Sequence, residues 1–512
     1  MEDADRLKLY LDNSSTTIHG KLGGDKYKAF KEALGYYPED AMWRQQNNPH
    51  WDGLVTTVCY NRGYCRCSVK KDGMHFPTGL VSKAVAFFKE NEIGYEFMDC
   101  RHEWAKQEIG LSLSPISLSD GTPFSLYDYQ EDAVTKAVDV ERGIVKIATG
   151  GGKTKTAAGI IARVGVTPSI FYVTSKELLL QAVADLEEVL LKDGKPIKVG
   201  QVGCGRKSMG DITVMTVQTA VRAVGEKYIK FDEEDEQDAT DIEDIKKELA
   251  DLIRSAKLII CDEVQHWRAE TCQVIADNSL SCRWRYGLSA TPYRDAGDDI
   301  LIEACFGRKI VDINASWLIH HGYLVKPYIS FIPIKNMKGE NLGPYPSVYK
   351  AALVENAYRN ELIAKLAQNL VGMDRTTLVL VQQIHHGELL EELIPGAVFM
   401  HGSSTDKKRK EHIKLIKSGK APITISSTIF DEGIDCKPLD ALILAGGGKS
   451  PTRALQRIGR VIRKYTYPGG RVKDNAFVYD FRDHQKYLSQ HALARHKIYM
   501  TEPEFDIKEH NG

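Results

Sequence analysis

From Phe124 onward the chain repeats one rhythm, an apolar strand followed by a helical stretch, and runs through it twice. The first run is Ile144–Ala148, Ser169–Val173, Ile212–Thr216, Leu258–Cys261 and Tyr286–Leu288. The second is Thr377–Val381, Ala397–Met400, Ile423–Ser426, Ala441–Leu444 and Ala476–Asp480. Short apolar runs separated by helices read as parallel strands with helices on both faces. The spacing therefore predicts two consecutive α/β domains, over 124–313 and 314–485. Such sheets hold ligands at the carboxyl ends of their strands, so polar residues placed there are the ones to weigh.

Residues 1–111 have a different texture and read as a small α+β domain. Asp25–Leu34 and Leu80–Glu92 have helical apolar spacing, while Leu54–Tyr60, Tyr64–Val69 and Tyr95–Met98 read as strands. Ser112–Pro123, rich in Ser, Pro, Gly and Thr, is the expected linker over 112–123, and 486–512 is expected as a C-terminal tail. One insertion interrupts the first α/β domain near 226–256. Phe231–Asp244 carries nine acids among fourteen residues. It reads as a solvated insertion leading into a helix near Asp244–Ser255, or as a binding element for a protein partner over 231–244.

A hydrophobic fraction of 43% in 512 residues is enough for proper cores. No apolar run approaches the ~18 residues of a bilayer span, and the acidic start is unlike a signal peptide, so a soluble cytoplasmic protein is expected. Ten cysteines without a secretion signal read as reduced thiols. The net charge of −1 argues against bulk attraction to nucleic acid and leaves only local patches.

The first strand of the first α/β run delivers Ala148-Thr149-Gly150-Gly151-Gly152-Lys153-Thr154, with a helix expected over Lys153–Val164. A glycine turn opening a helix aims backbone N–H groups at phosphate oxygens. Lys153 would neutralise the β- and γ-phosphates and Thr154 would ligate Mg²⁺, making ATP and Mg²⁺ the expected cofactors. The strand Leu258–Cys261 delivers Asp262-Glu263 at its ligand edge. Asp262 suits the metal and Glu263 the attacking water. Gln130, after Tyr127-Asp128-Tyr129, offers one donor and one acceptor for an adenine edge. The strand Tyr286–Leu288 ends in Ser289-Ala290-Thr291.

The second α/β run supplies Gly433 and Asp435 after the strand Ile423–Ser426, and then Gln456, Arg460 and Arg463. Arg460 and Arg463 are three apart and would share a helix face, as arginine fingers or as a surface ion-pair helix. They lie 307 residues beyond the phosphate loop (460 − 153 = 307), so one nucleotide site would draw on two domains. A second glycine loop, Gly446-Gly447-Gly448-Lys449-Ser450, is followed at once by Pro451 and is read as a domain-facing loop rather than a second ATP site.

In order along the chain, these segments resemble a superfamily 2 helicase: Tyr127–Gln130, ATGGGKT, Tyr172–Ser175, Thr216–Thr219, Asp262–Gln265, Leu288–Pro292, Asp431–Asp435 and Gln456–Arg463. Ser289-Ala290-Thr291-Pro292-Tyr293-Arg294 and the N-terminal landmarks Trp51-Asp52-Gly53, Tyr60-Asn61-Arg62 and Pro77–Val81 are similar to the Rad25/XPB-like group and the phage UvsW-type branch-migration helicases. The resemblance implies two tandem RecA-like domains preceded by a small α+β nucleic-acid-binding domain. It implies that Thr174, Thr219 and Thr428 contact a nucleic-acid backbone and that Asp435 contacts the ribose. Gln456 would join Arg460 and Arg463 at the γ-phosphate. The implied activity is an ATP-dependent helicase or translocase that remodels forks, D-loops and Holliday junctions; an RNA helicase and a motor without strand separation are the rivals. One departure is that the acidic motif ends in Gln265-His266, which leaves open how that segment couples to its neighbours.

The expected hairpin over Leu54–Val69 would put Arg66, Ser68 and Lys70 on one face, a basic stripe beside Trp51, Tyr60 and Tyr64 suited to phosphate contact and stacking, or a plain solvated strand. Cys59, Cys65 and Cys67 with Cys100 or His102 could ligate zinc, but no paired C-x₂-C motifs support it. The basic run 407–410 reads as the solvated face of a helix with Ile413, Leu415 and Ile416 inward.

Overall fold

A computed structural model describes residues 6–38, 40–48, 51–60, 73–225, 245–267, 269–291, 299–334, 343–402, 404–427 and 436–510. The chain divides into two units, 1–146 with 153–312 and 147–152 with 313–512.

The first unit opens with a five-stranded sheet in the order Cys59–Tyr60, Met74–Pro77, Ser15–His19, Leu7–Leu11, Tyr95–Asp99. Leu7–Leu11 and Ser15–His19 form a tight antiparallel hairpin, and Tyr95–Asp99 adds in parallel. Helices Gly24–Ala33 and Val81–Glu90 cover the sheet through Phe30, Phe87 and Phe88, with Phe76 beneath. The expected strand Leu54–Tyr60 is instead two short pieces in different sheets. Val55–Thr56 pairs with Gly35–Tyr36, and Cys59–Tyr60 pairs with Met74–Pro77. Threonine chemistry breaks the run: Thr57 donates its N–H (3.0 Å) and hydroxyl (2.7 Å) to the Leu34 carbonyl at the end of the first helix. The rest of the expected hairpin, with Arg66 and Lys70, lies outside the described residues.

The first α/β sheet has eight strands in the order Arg206–Ser208, Gly200–Gly203, Ile212–Thr216, Ser169–Val173, Leu258–Cys261, Trp284–Ser289, Arg142–Ile147, Lys309–Ile313. Its central neighbours pair in parallel. Ser169–Val173 and Leu258–Cys261 are buried at every position, which is why they read as unbroken apolar runs. The expected linker is built in: Leu111–Leu113 pairs with Leu190–Lys192, and Ser117 and Ser119 donate to Glu188. Those serines, a linker signal in sequence, are here a carboxylate's donors.

The second unit has a seven-stranded sheet with every pair parallel, in the order Val398–Met400, Ile423–Ser426, Thr377–Leu380, Ala441–Ile443, Asn475–Arg482, Lys326–Pro333, Asp506–Glu509. The stretch expected as a tail folds into it. Helix Leu488–Tyr499 is anchored by Arg495, which pairs with Asp480 at 2.8 Å through two nitrogens, and Asp506–Glu509 forms an edge strand. An Arg and an Asp fifteen residues apart carry no periodic signal until the sheet brings them together. On helix Asp406–Lys417 the buried positions are His412 and Ile416, while Leu415, expected inward, is exposed. No described helix is long and apolar enough to cross a membrane.

Candidate active site

Strand Arg142–Ile147 runs into the glycine loop, and helix Lys153–Val164 starts at the predicted residue. Gly150 and Gly152 have φ of 89° and 78°, a conformation that side chains resist, so this turn needs glycine. A Cβ on Gly151 would lie 2.5 Å from Ile147 Cγ2. Lys153 and Thr154 open the helix, both partly exposed. Thr149 is likewise partly exposed on the turn.

The Lys153 ammonium donates to Glu263 Oε1 at 2.7 Å. Glu263 has a φ of 47°, a left-handed conformation that costs a non-glycine residue about 1–2 kcal/mol. Its other oxygen, Oε2, accepts from Gln265 Nε2 at 2.6 Å. Gln265 in turn accepts from the Ser289 hydroxyl, and Ser289 Oγ accepts from the Thr291 N–H at 2.8 Å. One connected line therefore runs Lys153, Glu263, Gln265, Ser289 across the ends of three strands. The coupling that the acidic motif left open in sequence is made by Gln265. Its position as the motif's fourth residue was the available signal, and only packing showed which amide atom meets which partner.

Asp262 is buried at the end of its strand. Its N–H donates to the Tyr172 carbonyl at 2.9 Å, its Oδ1 accepts from Glu263 N–H at 3.0 Å, and its carbonyl accepts from the Trp267 indole at 3.0 Å. Burial first, and then the Glu263 charge, push its carboxyl up to about 7, against the pull of Lys153. With Lys153 bonded to Glu263, a second negative charge on the buried Asp262 is disfavoured unless another cation joins it.

Gln130 is buried on the first turn of helix Asp128–Val140. Its amide oxygen accepts from the Tyr127 N–H at 3.0 Å, capping its own helix, and its amide nitrogen is 3.5 Å from the Tyr129 hydroxyl. Tyr127 is exposed and stacks on Tyr129. The Thr174 hydroxyl is buried and has no hydrogen-bond partner among the described residues, while its carbonyl accepts from Gln218 at 3.0 Å. The contact expected of Thr219 is not supported by its placement. It is fully buried, and its hydroxyl accepts from Thr216 at 2.8 Å at the start of helix Val217–Ala223. Thr428, Gly433 and Asp435 lie outside the described residues.

On the second unit, helix Pro451–Val461 carries Gln456 and Arg460, both partly exposed. Arg463 is not on that helix as the three-residue spacing suggested. The helix ends at Val461, and Arg463 pairs as an isolated bridge with Leu324. Arg457 is buried and donates to the Gly447 carbonyl at 3.3 Å. The second glycine loop is filled by its own neighbours. Gly446 and Gly448 carbonyls accept from the Tyr349 hydroxyl (3.0 Å) and Arg495 (2.8 Å). Among the described residues no cluster of three His, Cys, Asp or Glu side chains could hold a metal.

Two family models match the chain: the type III restriction enzyme res subunit over residues 123–294 and the helicase conserved C-terminal domain over 360–465. The chain is 26% identical over 421 residues to the DNA 3'-5' translocase XPB2 of Sulfurisphaera tokodaii, covering 73% of this chain and 87% of that protein. It is 24% identical over 501 residues to the ATP-dependent DNA helicase uvsW of Enterobacteria phage T4, covering 88% and 89%. Among solved structures, S. cerevisiae Dbp5 bound to RNA and ADP BeF3 has a TM-score of 0.51 at 15% identity, over 77% of this chain and 91% of that one. The DUF1998 helicase MrfA bound to DNA also has 0.51, at 16% identity, over 80% and 54%. These two likenesses speak for the fold alone, and one track is RNA and the other DNA. With the glycine loop, the acidic pair and the two family models in the same order along the chain, the protein is a superfamily 2 helicase, similar to Rad25/XPB- and UvsW-type proteins.

Proposed function

We propose that the protein is a Mg²⁺-ATP-driven translocase that unwinds or branch-migrates forked DNA, D-loops and Holliday junctions in recombination, repair or fork processing. The observation that carries the reading is the Lys153–Glu263–Gln265–Ser289 line. In it the phosphate-binding lysine occupies the proposed catalytic carboxylate. A nucleotide's phosphates compete for the Lys153 ammonium and release Glu263 Oε1 to take a proton from water. The water oxygen then bonds to the γ-phosphorus as the bond to the β–γ bridging oxygen breaks. Gln456, Arg460 and Arg463 supply donors for charge on the transferred phosphoryl group, and Gln130, Thr149–Gly152, Gly433 and Asp435 complete the nucleotide's surroundings. Asp262, disfavoured as a second charge beside Glu263, and Thr154 would hold a divalent cation that would supply charge neutralisation at the β- and γ-phosphates.

Branched DNA as the track rests on the similarity to the phage helicase over 88% of the chain and on the N-terminal landmarks Trp51-Asp52-Gly53, Tyr60-Asn61-Arg62 and Pro77–Val81. Thr174, Thr428, Arg66 and Lys70 are the proposed backbone contacts. The rival, an RNA track, draws on the same motor fold seen bound to RNA. ATPase stimulation by forks, Holliday junctions, linear duplex, single strands and structured RNA separates the two. Stimulation strongest with RNA overturns the DNA reading. For the chemistry, Glu263→Gln should bind ATP and forked DNA yet lose at least about 10²-fold in hydrolysis; full turnover in that variant removes Glu263 from the step.

A further inference from the structure

The carboxyl ends of the first motor sheet hold the acidic pair, and the opposite ends hold the N-terminal domain. The turn of the N-terminal hairpin is inserted there. Ser14 Oγ donates to the Ala276 carbonyl at 3.0 Å and accepts from Arg285 Nη2 at 2.9 Å. The same guanidinium donates to the carbonyls of Ala276 (3.0 Å), Ser279 (2.8 Å) and Cys282 (3.2 Å). The Asn13 amide donates to the Leu280 carbonyl at 3.0 Å, and the Asn13 carbonyl accepts from Arg142 at 2.8 Å. Asn13 and Arg285 are each only 1% exposed. Carbonyls ending helix Ala269–Asn278 carry that helix's negative pole, which suits a buried guanidinium. A second contact fixes the domain beside this one: a Cβ on Gly79 would lie 2.2 Å from the Glu303 carbonyl oxygen, so two backbones touch.

Two stiff elements lead from Arg285 to the acidic pair. Strand Trp284–Ser289, about 17 Å long at ~3.3 Å per residue, ends at the hydroxyl that holds Gln265 and so Glu263. Helix Ala269–Asn278, about 15 Å long at ~1.5 Å per residue, begins beside Trp267, whose indole holds the Asp262 carbonyl. Displacing the hairpin turn would shift the near ends of both elements; their far ends lie at Ser289 and next to Trp267, whose hydrogen bonds lead to Glu263 through Gln265 and to the Asp262 carbonyl.

We propose that the Asn13-Ser14 turn is a positioning element for Asp262 and Glu263, coupling through Arg285 the DNA held by the N-terminal domain to the rate of ATP hydrolysis. The proposal rests on the DNA reading above. A turn that only glues two domains together would lower thermal stability when weakened and leave the response to DNA intact.

Ser14→Ala removes one hydroxyl, and Arg285→Lys keeps the charge but loses the fork of donors. Each variant is compared with the parent in ATP turnover with and without forked DNA, in fork affinity by fluorescence anisotropy, and in melting temperature. The expected result is fork affinity within about 2-fold of the parent, with the ratio of fork-stimulated to basal turnover reduced at least about 5-fold, the size of coupling effects carried by such networks. If Arg285→Lys does not fold, Ser14→Ala decides alone. Undiminished stimulation in a folded Ser14→Ala variant overturns this proposal and leaves the DNA reading standing. Fork affinity that falls in step with stimulation also overturns it, by assigning the turn to DNA binding. A parent that no DNA stimulates overturns the DNA reading and this proposal together.

Discussion

Two loops of this chain are nearly the same in composition: Ala148-Thr149-Gly150-Gly151-Gly152-Lys153-Thr154 and Ala445-Gly446-Gly447-Gly448-Lys449-Ser450. Each follows a parallel strand and precedes a helix. In the first, the lysine opens the helix and reaches the acidic pair. In the second, Ser450 caps the helix, Pro451 opens it, and the loop carbonyls are taken by Tyr349, Arg457 and Arg495. Three glycines and a lysine therefore do not make a phosphate site. What differs is the lysine's company: Lys153 reaches a carboxylate, whereas the second loop's carbonyls are held by Tyr349, Arg457 and Arg495.

Lysine replacement should break the resemblance most strongly. Lys153→Ala should lower ATP turnover at least about 10³-fold, whereas Lys449→Ala should leave it within about 2-fold, inside the scatter of surface substitutions; steady-state ATPase assays on both variants decide. Comparable losses would mean that the second loop also serves the nucleotide. Within helix Pro451–Val461 the arginines should divide in the same way. Arg460→Ala should slow hydrolysis about 10²-fold with ATP affinity nearly unchanged, and a shift mainly in affinity would refute a transition-state role. Arg457→Ala should instead cost about 2–3 kcal/mol of stability, as expected when a buried charged donor is lost, seen in denaturant unfolding.

Smaller effects test the plugged loop directly. A Cβ on Gly446 would lie 2.7 Å from the Gln382 backbone nitrogen. Gly446→Ala should cost about 1–3 kcal/mol, read from the shift of the urea midpoint. Tyr349→Phe removes one donor to the Gly446 carbonyl and should cost about 1 kcal/mol while ATP turnover stays at the parent's value. A fall in turnover there would tie the second loop to the chemistry after all.

Much of the motor was legible in the chain. Ser169–Val173, Ile212–Thr216, Leu258–Cys261 and Ile423–Ser426 coincide with their predicted bounds, because a strand buried on both faces leaves an uninterrupted apolar run. The phosphate loop and acidic pair were legible for a related reason: their chemistry needs fixed residue types at fixed offsets from a strand end. Half-buried pieces were not. Lys326–Pro333 is strand-like in its Tyr, Ile and Phe, but its two prolines demote it as a sheet strand, and its alternation of buried and partly exposed positions is not written as alternating polarity. The hairpin Leu7–Leu11/Ser15–His19 went unread because Ser15–His19 has a single strongly apolar residue, Ile18, and so offers the apolar Leu7–Leu11 no visible partner. Arg463 was misread because spacing of three implies one helix face only while the helix lasts, and this one stops two residues earlier.

By itself the sequence determined the two parallel sheets, the order of their motifs and the place of Lys153 and of the Asp262-Glu263 pair just beyond strand ends, since local apolar runs and short-range offsets survive in a linear string. Only the tertiary structure decided that Gln265 joins Glu263 to Ser289, that Arg495 and Asp480 bind the C-terminal helix, and that the Asn13-Ser14 turn is held by Arg285. Each of those contacts joins residues that are chemically ordinary alone. A hydrogen bond depends on position to within a few tenths of an ångström, and folding alone supplies that position.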